Sequence, residues 1–243
     1  NYLTLPAEIV GRLEVYKSPQ ADVEEGGVGG TINVITRNPL DLKPFTISAS
    51  LQGAYSDLSG KLDPQVSGLV SWKNADETFG ILVGGIYQKR RTRRDGLEIF
   101  GYRSFPVGAG QALVPTLIGS TMFEQERERF GGNIGIQFRP SDELEINITG
   151  LYSRFNADNF NQNYIAWGEQ ALAGGGTISN AVIEDGVAVA GDIASLAGGT
   201  AGFGVVYDGI DRQAVAKTIS ADFDLTYRPS DTLSVHFKAG WTK

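Results

Sequence analysis

Apolar and polar residues alternate with period two over segment after segment of this 243-residue chain. Only an extended strand places alternate side chains on opposite faces. In 219–228, Ile219, Ala221, Phe223, Leu225 and Tyr227 alternate with Ser220, Asp222, Asp224, Thr226 and Arg228. Segment 233–242 repeats the pattern, with Leu233, Val235, Phe237, Ala239 and Trp241 against Ser234, His236, Lys238, Gly240 and Thr242. So do 130–139 and 45–55, and less cleanly 65–73, 78–88 and 144–155. Seven strands are expected, each close to the ~9–11 residues that carry a tilted strand across a bilayer.

The connections fall into two classes. Arg139-Pro140-Ser141-Asp142-Glu143 and Arg228-Pro229-Ser230-Asp231-Thr232 are one turn used twice. In each, Pro presets the second residue of a type I turn and Asp caps it. Lys73-Asn74-Ala75-Asp76-Glu77 is a third tight turn. The long connections, about 90–126 and 156–215, are expected to be loops, the second rich in glycine (Ala173-Gly174-Gly175-Gly176, Ala197-Gly198-Gly199-Thr200). With up-and-down strands, short turns collect at one end of the sheet and long loops at the other. That is the layout of outer-membrane barrels.

A soluble lipocalin-like barrel alternates too, with its apolar face inward. Three features favour the membrane. Aromatics lie near strand ends on the apolar face (Phe45, Tyr55, Trp72, Phe130, Phe138, Tyr227, Trp241), as interface girdles do. The opposite face is Gly, Ser, Thr, Asn and Gln with charges, which suits a wet lumen. The loops are longer than a compact soluble domain carries. Glycine, at 32 residues, is about twice its ordinary usage, which fits strands with tight turns. No stretch reaches the ~20 apolar residues of a membrane helix, and no signal peptide is visible. Both ends read as cuts, so the chain is expected to be a fragment.

Residues 1–43 differ. Short β segments at 12–16 and 31–36 flank a glycine-rich bend, and Asn38-Pro39 leads into the first alternating strand. Arg12-Leu13-Glu14-Val15, then Pro19, then Gly29-Gly30-Thr31-Ile32-Asn33 with Thr36-Arg37 carry a resemblance. They resemble the end of the plug domain of TonB-dependent outer-membrane receptors. Glu24-Glu25, where many members have Tyr-Gly, and Ser18, where the family usually has Gly, depart from the pattern. The run Glu25-Gly26-Gly27-Val28-Gly29-Gly30-Thr31, with Thr36-Arg37-Asn38-Pro39-Leu40-Asp41, is similar to a branch of the family found in Xanthomonas- and Caulobacter-type bacteria, some of whose members take up carbohydrates. The motif covers about 9–41. The resemblance implies that 1–41 is the C-terminal part of a plug and 42–243 the N-terminal part of a transmembrane antiparallel barrel, about seven strands of 22. It implies a receptor in the bacterial outer membrane that takes up a scarce ligand (a siderophore, cobalamin or an oligosaccharide) with energy coupled through TonB. The TonB box and the remaining strands would lie outside this chain, which alone would transport nothing.

Three groups of residues are candidate sites. Arg12 and Glu14 share one face of their strand, and with Gly29, Gly30, Asn33 and Arg37 form the plug motif. The resemblance implies that such charges pair with the barrel wall and hold the plug in register; an exposed surface pair is the alternative. The basic run Lys89-Arg90-Arg91-Thr92-Arg93-Arg94 could bind lipopolysaccharide phosphates or an anionic substrate. Tyr87 opposite Phe130 sets a different expectation: Lys89, Arg91 and Arg93 face Glu128, Glu126 and Glu124 in a cross-strand ladder, so the hairpin continues as sheet. Asn159, Asn161, Asn163, Tyr164 and Trp167, in the second long loop, combine amides with aromatics as sugar sites do; an ordinary solvated loop is the alternative.

Other functions find little support. The charge balance of −7 makes a poor nucleic-acid binder. With no cysteine and a single histidine, His236, neither a protein metal site nor a cofactor is expected. Gly27-x-Gly29 precedes no helix, and the Asn147-Ile148-Thr149 sequon lies within a strand. No nucleophile set or carboxylate dyad stands out, so no enzyme is expected. The expected partners are TonB, outer-membrane lipid and lipopolysaccharide, and a small-molecule or oligosaccharide ligand. The rival reading is a passive porin or structural barrel, which lacks a plug-like N-terminal segment.

Overall fold

The computed structural model describes residues 10–18, 29–197 and 204–243. Pro19, the Glu24–Val28 run and Gly198–Thr200 lie outside them. The described chain is almost entirely strand: β1 (Val10–Tyr16), β2 (Thr31–Thr36), β3 (Phe45–Ser56), β4 (Lys61–Lys73), β5 (Phe79–Ile99), β6 (Tyr102–Val107), β7 (Gly110–Pro115), β8 (Ile118–Ser141), β9 (Leu144–Trp167), β10 (Thr177–Glu184), β11 (Val187–Ala194), β12 (Gly204–Arg212), β13 (Val215–Ser230) and β14 (Leu233–Thr242). One short helix, α1 (Gly168–Ala173), and a 3-10 turn at Pro39–Asp41 complete it. No helix among the described residues is long and apolar enough to cross a membrane.

The main sheet is an open antiparallel meander, β14-β13-β9-β8-β5-β4-β3, with β12 pairing beyond β13 on the same strand, β9. The seven alternating segments are its seven long strands. Both long connections prove to be largely sheet rather than loop. β5 and β8 stay paired from Phe79↔Phe138 out to Ile99↔Ile118. β9 runs on to Trp167, flanked by β8 and β12. Beyond about residue 88, charged and amide side chains occupy both faces, so the alternation that marks a strand fades while its hydrogen bonds continue.

Both prolines of the repeated turn also sit elsewhere than expected. Ser141 pairs with Leu144 and Ser230 with Leu233, so the turn residues are Asp142-Glu143 and Asp231-Thr232. Pro140 and Pro229 fall at register shifts just before those pairs. Pro cannot donate to a ladder and is tolerated at a bulge.

The two faces of the sheet are unlike. Side chains such as Leu51 (81 % exposed) and Val83 (51 %) stand open on the apolar face, in line with Ile47, Val70, Ile134, Ile148, Ile219 and Val235. The buried polar side chains Ser67, Ser71, Gln137 and Ser153 lie on the other face, with Leu69, Leu82 and Ile86. A flat sheet would leave both faces equally open, so this one curves around its polar side. Two rows of aromatics bound the apolar stripe. Phe45, Trp72, Phe79, Phe138 and Tyr227 run along the short-turn end, with Trp72 and Phe79 6.3 Å apart. Tyr87, Phe130, Tyr152 and Trp241 run along the other, with Phe130 and Tyr152 6.2 Å apart edge to face.

At the long-connection end a second sheet, β10-β11-β7-β6, ties together the excursions that follow β5 and β9. β11 meets β7 in parallel at Val187↔Leu113, and the Leu113 N–H donates to the Gly186 carbonyl at 2.8 Å. Ala112, Val114, Ile165, Ala171 and Leu172 are buried here.

Candidate functional site

The hairpin of β5 and β8 sorts its charges by face. On the side continuous with the apolar stripe, Lys89, Arg91 and Arg93 lie opposite Glu128, Glu126 and Glu124, the register that Tyr87↔Phe130 predicts. The contacts are partly diagonal. Lys89 pairs with Glu126 at 2.6 Å, Arg93 reaches Glu124 at 3.5 Å, and Glu128 accepts the Tyr87 hydroxyl at 3.1 Å. Arg91 leaves the ladder. Its Nε and its backbone N–H donate to the two carboxyl oxygens of Asp63, at 2.7 and 2.6 Å. Asp63 is 1 % exposed and occupies the point where β4, turning away at Pro64, stops pairing with β5. It supplies the acceptor that the ladder no longer offers. Burial pushes the Asp63 carboxyl up, but the Arg91 backbone N–H, guanidinium and charge outweigh it and hold it below the usual carboxylate value. The Glu126 hydrogen bond raises Lys89 above the ordinary lysine value, against burial.

The opposite side of the same hairpin has no such matching. Arg90 lies directly opposite Arg127, and Gln88 opposite Arg129. Thr92 faces Gln125, and Gln125 faces Asn159 on β9. Asn161 and Asn163 continue that row, with Arg212 of β12 opposite Asn159. Asn163 is buried and donates to Asp208 at 2.7 Å. The amide and aromatic cluster is therefore divided. Asn159, Asn161, Asn163 and, by alternation, Trp167 share the polar face. Tyr164 points the other way, edge to face with Tyr207 at 6.3 Å. Arg127, Arg129, Arg212 and Asp63 are the residues that the sequence reading did not single out. The register that matches the odd positions of the basic run also sets Arg90 opposite Arg127 and Gln88, just before the run, opposite Arg129. Arg212 and Asp63 had no such signal, because their partners are set by tertiary pairing.

Four buried side-chain atoms lack a hydrogen-bond partner among the described residues: Arg129 Nε and the Oδ1 atoms of Asn133, Asn147 and Asn161. All four belong to the polar face. Buried polar groups are normally satisfied, so this face is chemically unfinished in a way that the apolar face is not.

Lower on the polar face, near the short turns, the Pro39–Asp41 turn is seated. The Leu40 N–H donates to Gln137 Oε1 at 3.0 Å, and Lys73 Nζ donates to the Leu40 carbonyl at 2.9 Å. Gln137, fully buried, also donates to Glu145 at 2.8 Å. Gly80 allows this approach, since a Cβ there would lie 2.9 Å from Pro39 Cβ and 3.1 Å from Leu40 Cδ2. The chain reaches this turn from the β1–β2 hairpin. There Arg12 pairs with Glu14 at 2.6 Å, and Tyr16 and Asn33 also donate to Glu14, at 2.9 and 3.3 Å. The Tyr16 hydrogen bond comes first among the causes that lower the Glu14 carboxyl. Every bond just described for Arg12 and Glu14 stays within the hairpin; none reaches the main sheet. Gly30, just before β2, has φ +117°, and a Cβ there would lie 2.7 Å from the Tyr16 carbonyl oxygen, so only glycine fits. Among the described residues, none comes within 4 Å of a Cβ placed on Gly29. Arg37 shares a small crevice with Asn133, Thr149 and Asp222 on the polar face.

His236 contacts Thr226 and Ser234 on the exposed edge hairpin. No group of three or more His, Cys, Asp or Glu side chains among the described residues could hold a metal ion. Comparison with protein-family models, curated proteins and solved structures finds no match to this chain.

Proposed function

We propose that this chain is part of a TonB-dependent receptor in a bacterial outer membrane, comprising the end of the plug and the first strands of its barrel. The observation that carries the reading is the segment seated on the polar face. The Gly29-Gly30 hairpin leads into a turn whose Leu40 backbone is bonded at both its N–H and its carbonyl by the buried Gln137 and Lys73. A chain entering the hollow side of an alternating sheet is what a plug requires and what a passive porin lacks.

The membrane part of the proposal rests on the apolar stripe. Eight residues separate Phe79 from Tyr87 on β5, about 27 Å along the strand; at the ~35–45° tilt of barrel strands that is roughly 20 Å of height, comparable to the ~25 Å apolar band between aromatic girdles. In this reading 65–73, 79–87 and 130–138 lie within the bilayer, facing lipid with their apolar side. The ion-paired ladder begins one rung above, level with lipopolysaccharide. β3 and β14, the free edges of the main sheet, pair with further strands of the barrel, because unpaired backbone cannot face hydrocarbon. The short turns face the periplasm, where TonB acts, and β6, β7, β10 and β11 face outward, where a scarce siderophore, cobalamin or oligosaccharide is captured. No role here is enzymatic.

The test is uptake by the full-length receptor. Cells dependent on one supplied iron chelate, cobalamin or oligosaccharide are expected to grow only with both the receptor and TonB present. Equal growth without TonB would replace this reading with a passive porin.

A further inference from the structure

Resting on the receptor reading, we propose that the polar face above the span binds an oxyanion carried by the ligand. Arg90, Arg127 and Arg129 supply the positive charge, and Asn161, further out along the strands beside Phe123, contacts hydroxyls elsewhere on the same ligand. The argument begins with the unequal treatment of the two faces of one hairpin. On the apolar-stripe side, three cations stand opposite three carboxylates. One strand position away, Arg90 stands opposite Arg127, with Arg129 one rung below. Like charges directly across a sheet destabilise it, and a chain of net charge −7 has carboxylates to spare for neutralising them.

The nearby carboxylates are engaged elsewhere. Glu98 holds Arg94 at 2.6 Å, Asp63 holds Arg91, and Asp208 accepts from Asn163. Among the described residues, Arg90, Arg127 and Arg129 have no ion pair. An open cleft of about 550 Å³ lies between Arg90, Arg94, Phe123 and Arg127. Two orphaned atoms flank this cleft and are complementary in kind, Arg129 one rung below Arg127 and Asn161 beside Phe123 at the outer end. Arg129 Nε is a buried donor and Asn161 Oδ1 a buried acceptor, each without a partner among the described residues. A donor fork suits a phosphate or carboxylate, which guanidinium binds in bidentate fashion. An acceptor amide suits a hydroxyl. Together they describe a ligand that carries both, such as an acidic oligosaccharide or a hydroxycarboxylate chelate.

The experiment is calorimetric titration of the full-length receptor in detergent with tripolyphosphate, citrate and trigalacturonate, with maltotriose as the neutral probe. At least one oxyanion is expected to bind, more weakly as salt rises. Arg90→Gln and Arg127→Gln are each expected to weaken it by about tenfold or more, as loss of a charge-assisted hydrogen bond implies. Arg127→Lys should retain part of the affinity. Lys89→Gln, on the opposite face of the same strand, should leave it unchanged. Asn161→Ala should weaken trigalacturonate and spare tripolyphosphate. Heat-modified migration in gels confirms that each variant is folded. Binding of none of the three oxyanions, or equal loss in Lys89→Gln and Arg90→Gln, overturns the proposal. TonB-dependent uptake of a neutral ligand by a receptor that binds no oxyanion would end the anion site while leaving the receptor reading in place.

Discussion

A single carboxylate decides how the sheet ends on one side. Asp63 accepts from both the backbone and the side chain of Arg91, at the place where β4 leaves β5. Removing one partner of a fully buried pair costs about 3–5 kcal/mol. Arg91 is 30 % exposed, so water reaches it in the variant. Asp63→Ala is therefore expected to lower unfolding stability by about 2 kcal/mol, since hydrogen bonds to charged groups are worth ~1.5–3 kcal/mol each. Hydrogen exchange at the Arg91 amide should quicken. The sign of the pH dependence follows from the lowered carboxyl. Its contribution is present above the unfolded value of ~3.9 and is lost as pH falls through the folded one. Urea unfolding should show an acid loss of stability in the wild type that is reduced in Asp63→Asn. Lys89, raised by Glu126, acts at the other limit. Its contribution is complete below the ordinary lysine value and is lost only as pH rises past the folded one.

At the scale of elements, the contact between the Pro39–Asp41 turn and the main sheet depends on the absence of a side chain. Gly80 sits under Pro39 and Leu40, where a Cβ would lie 2.9 Å from the rigid Pro39 ring. Gly80→Val is expected to lift the turn, break the Leu40 bonds to Gln137 and Lys73, and cost roughly 1–3 kcal/mol, as overpacking does. Rapid exchange of the Leu40 amide would report it; unchanged protection would mean that the turn is held by something else. The longest strands outrun the alternation that marks them. β5, β8 and β9 span 21, 24 and 24 residues, yet only about ten of each alternate cleanly. Period two reports a difference between the two faces. Where both faces are polar, as in Asn156–Trp167, the strand persists and the signal does not.

For the whole molecule, the exposed stripe discriminates between environments. If it faces lipid, Val83→Lys costs about 2–4 kcal/mol, since it lies near the middle of the band. On a water-facing surface the same change stays within ~0.5 kcal/mol. Unfolding titrations of the receptor in vesicles measure the difference, and a null effect would sink the membrane reading. The polar face answers to a different demand. Its four orphaned atoms and its opposed Arg90 and Arg127 make sense only against a covering layer of water, plug or ligand.

Local pattern was enough to specify the seven main strands, their antiparallel order, the register of Lys89–Arg93 on Glu124–Glu128 and the need for glycine at position 30. Each follows from side-chain parity or from a backbone angle, and both are written residue by residue. Tertiary structure alone decided that Arg91 turns to Asp63, that the asparagines and Tyr164 part to opposite faces, that Arg212 joins the former, and that Leu40 is pinned by Gln137. These depend on which strand lies beside which, how far each runs, and where one breaks away. The alternating pattern records the face a residue takes, and the neighbouring strand determines what it meets there.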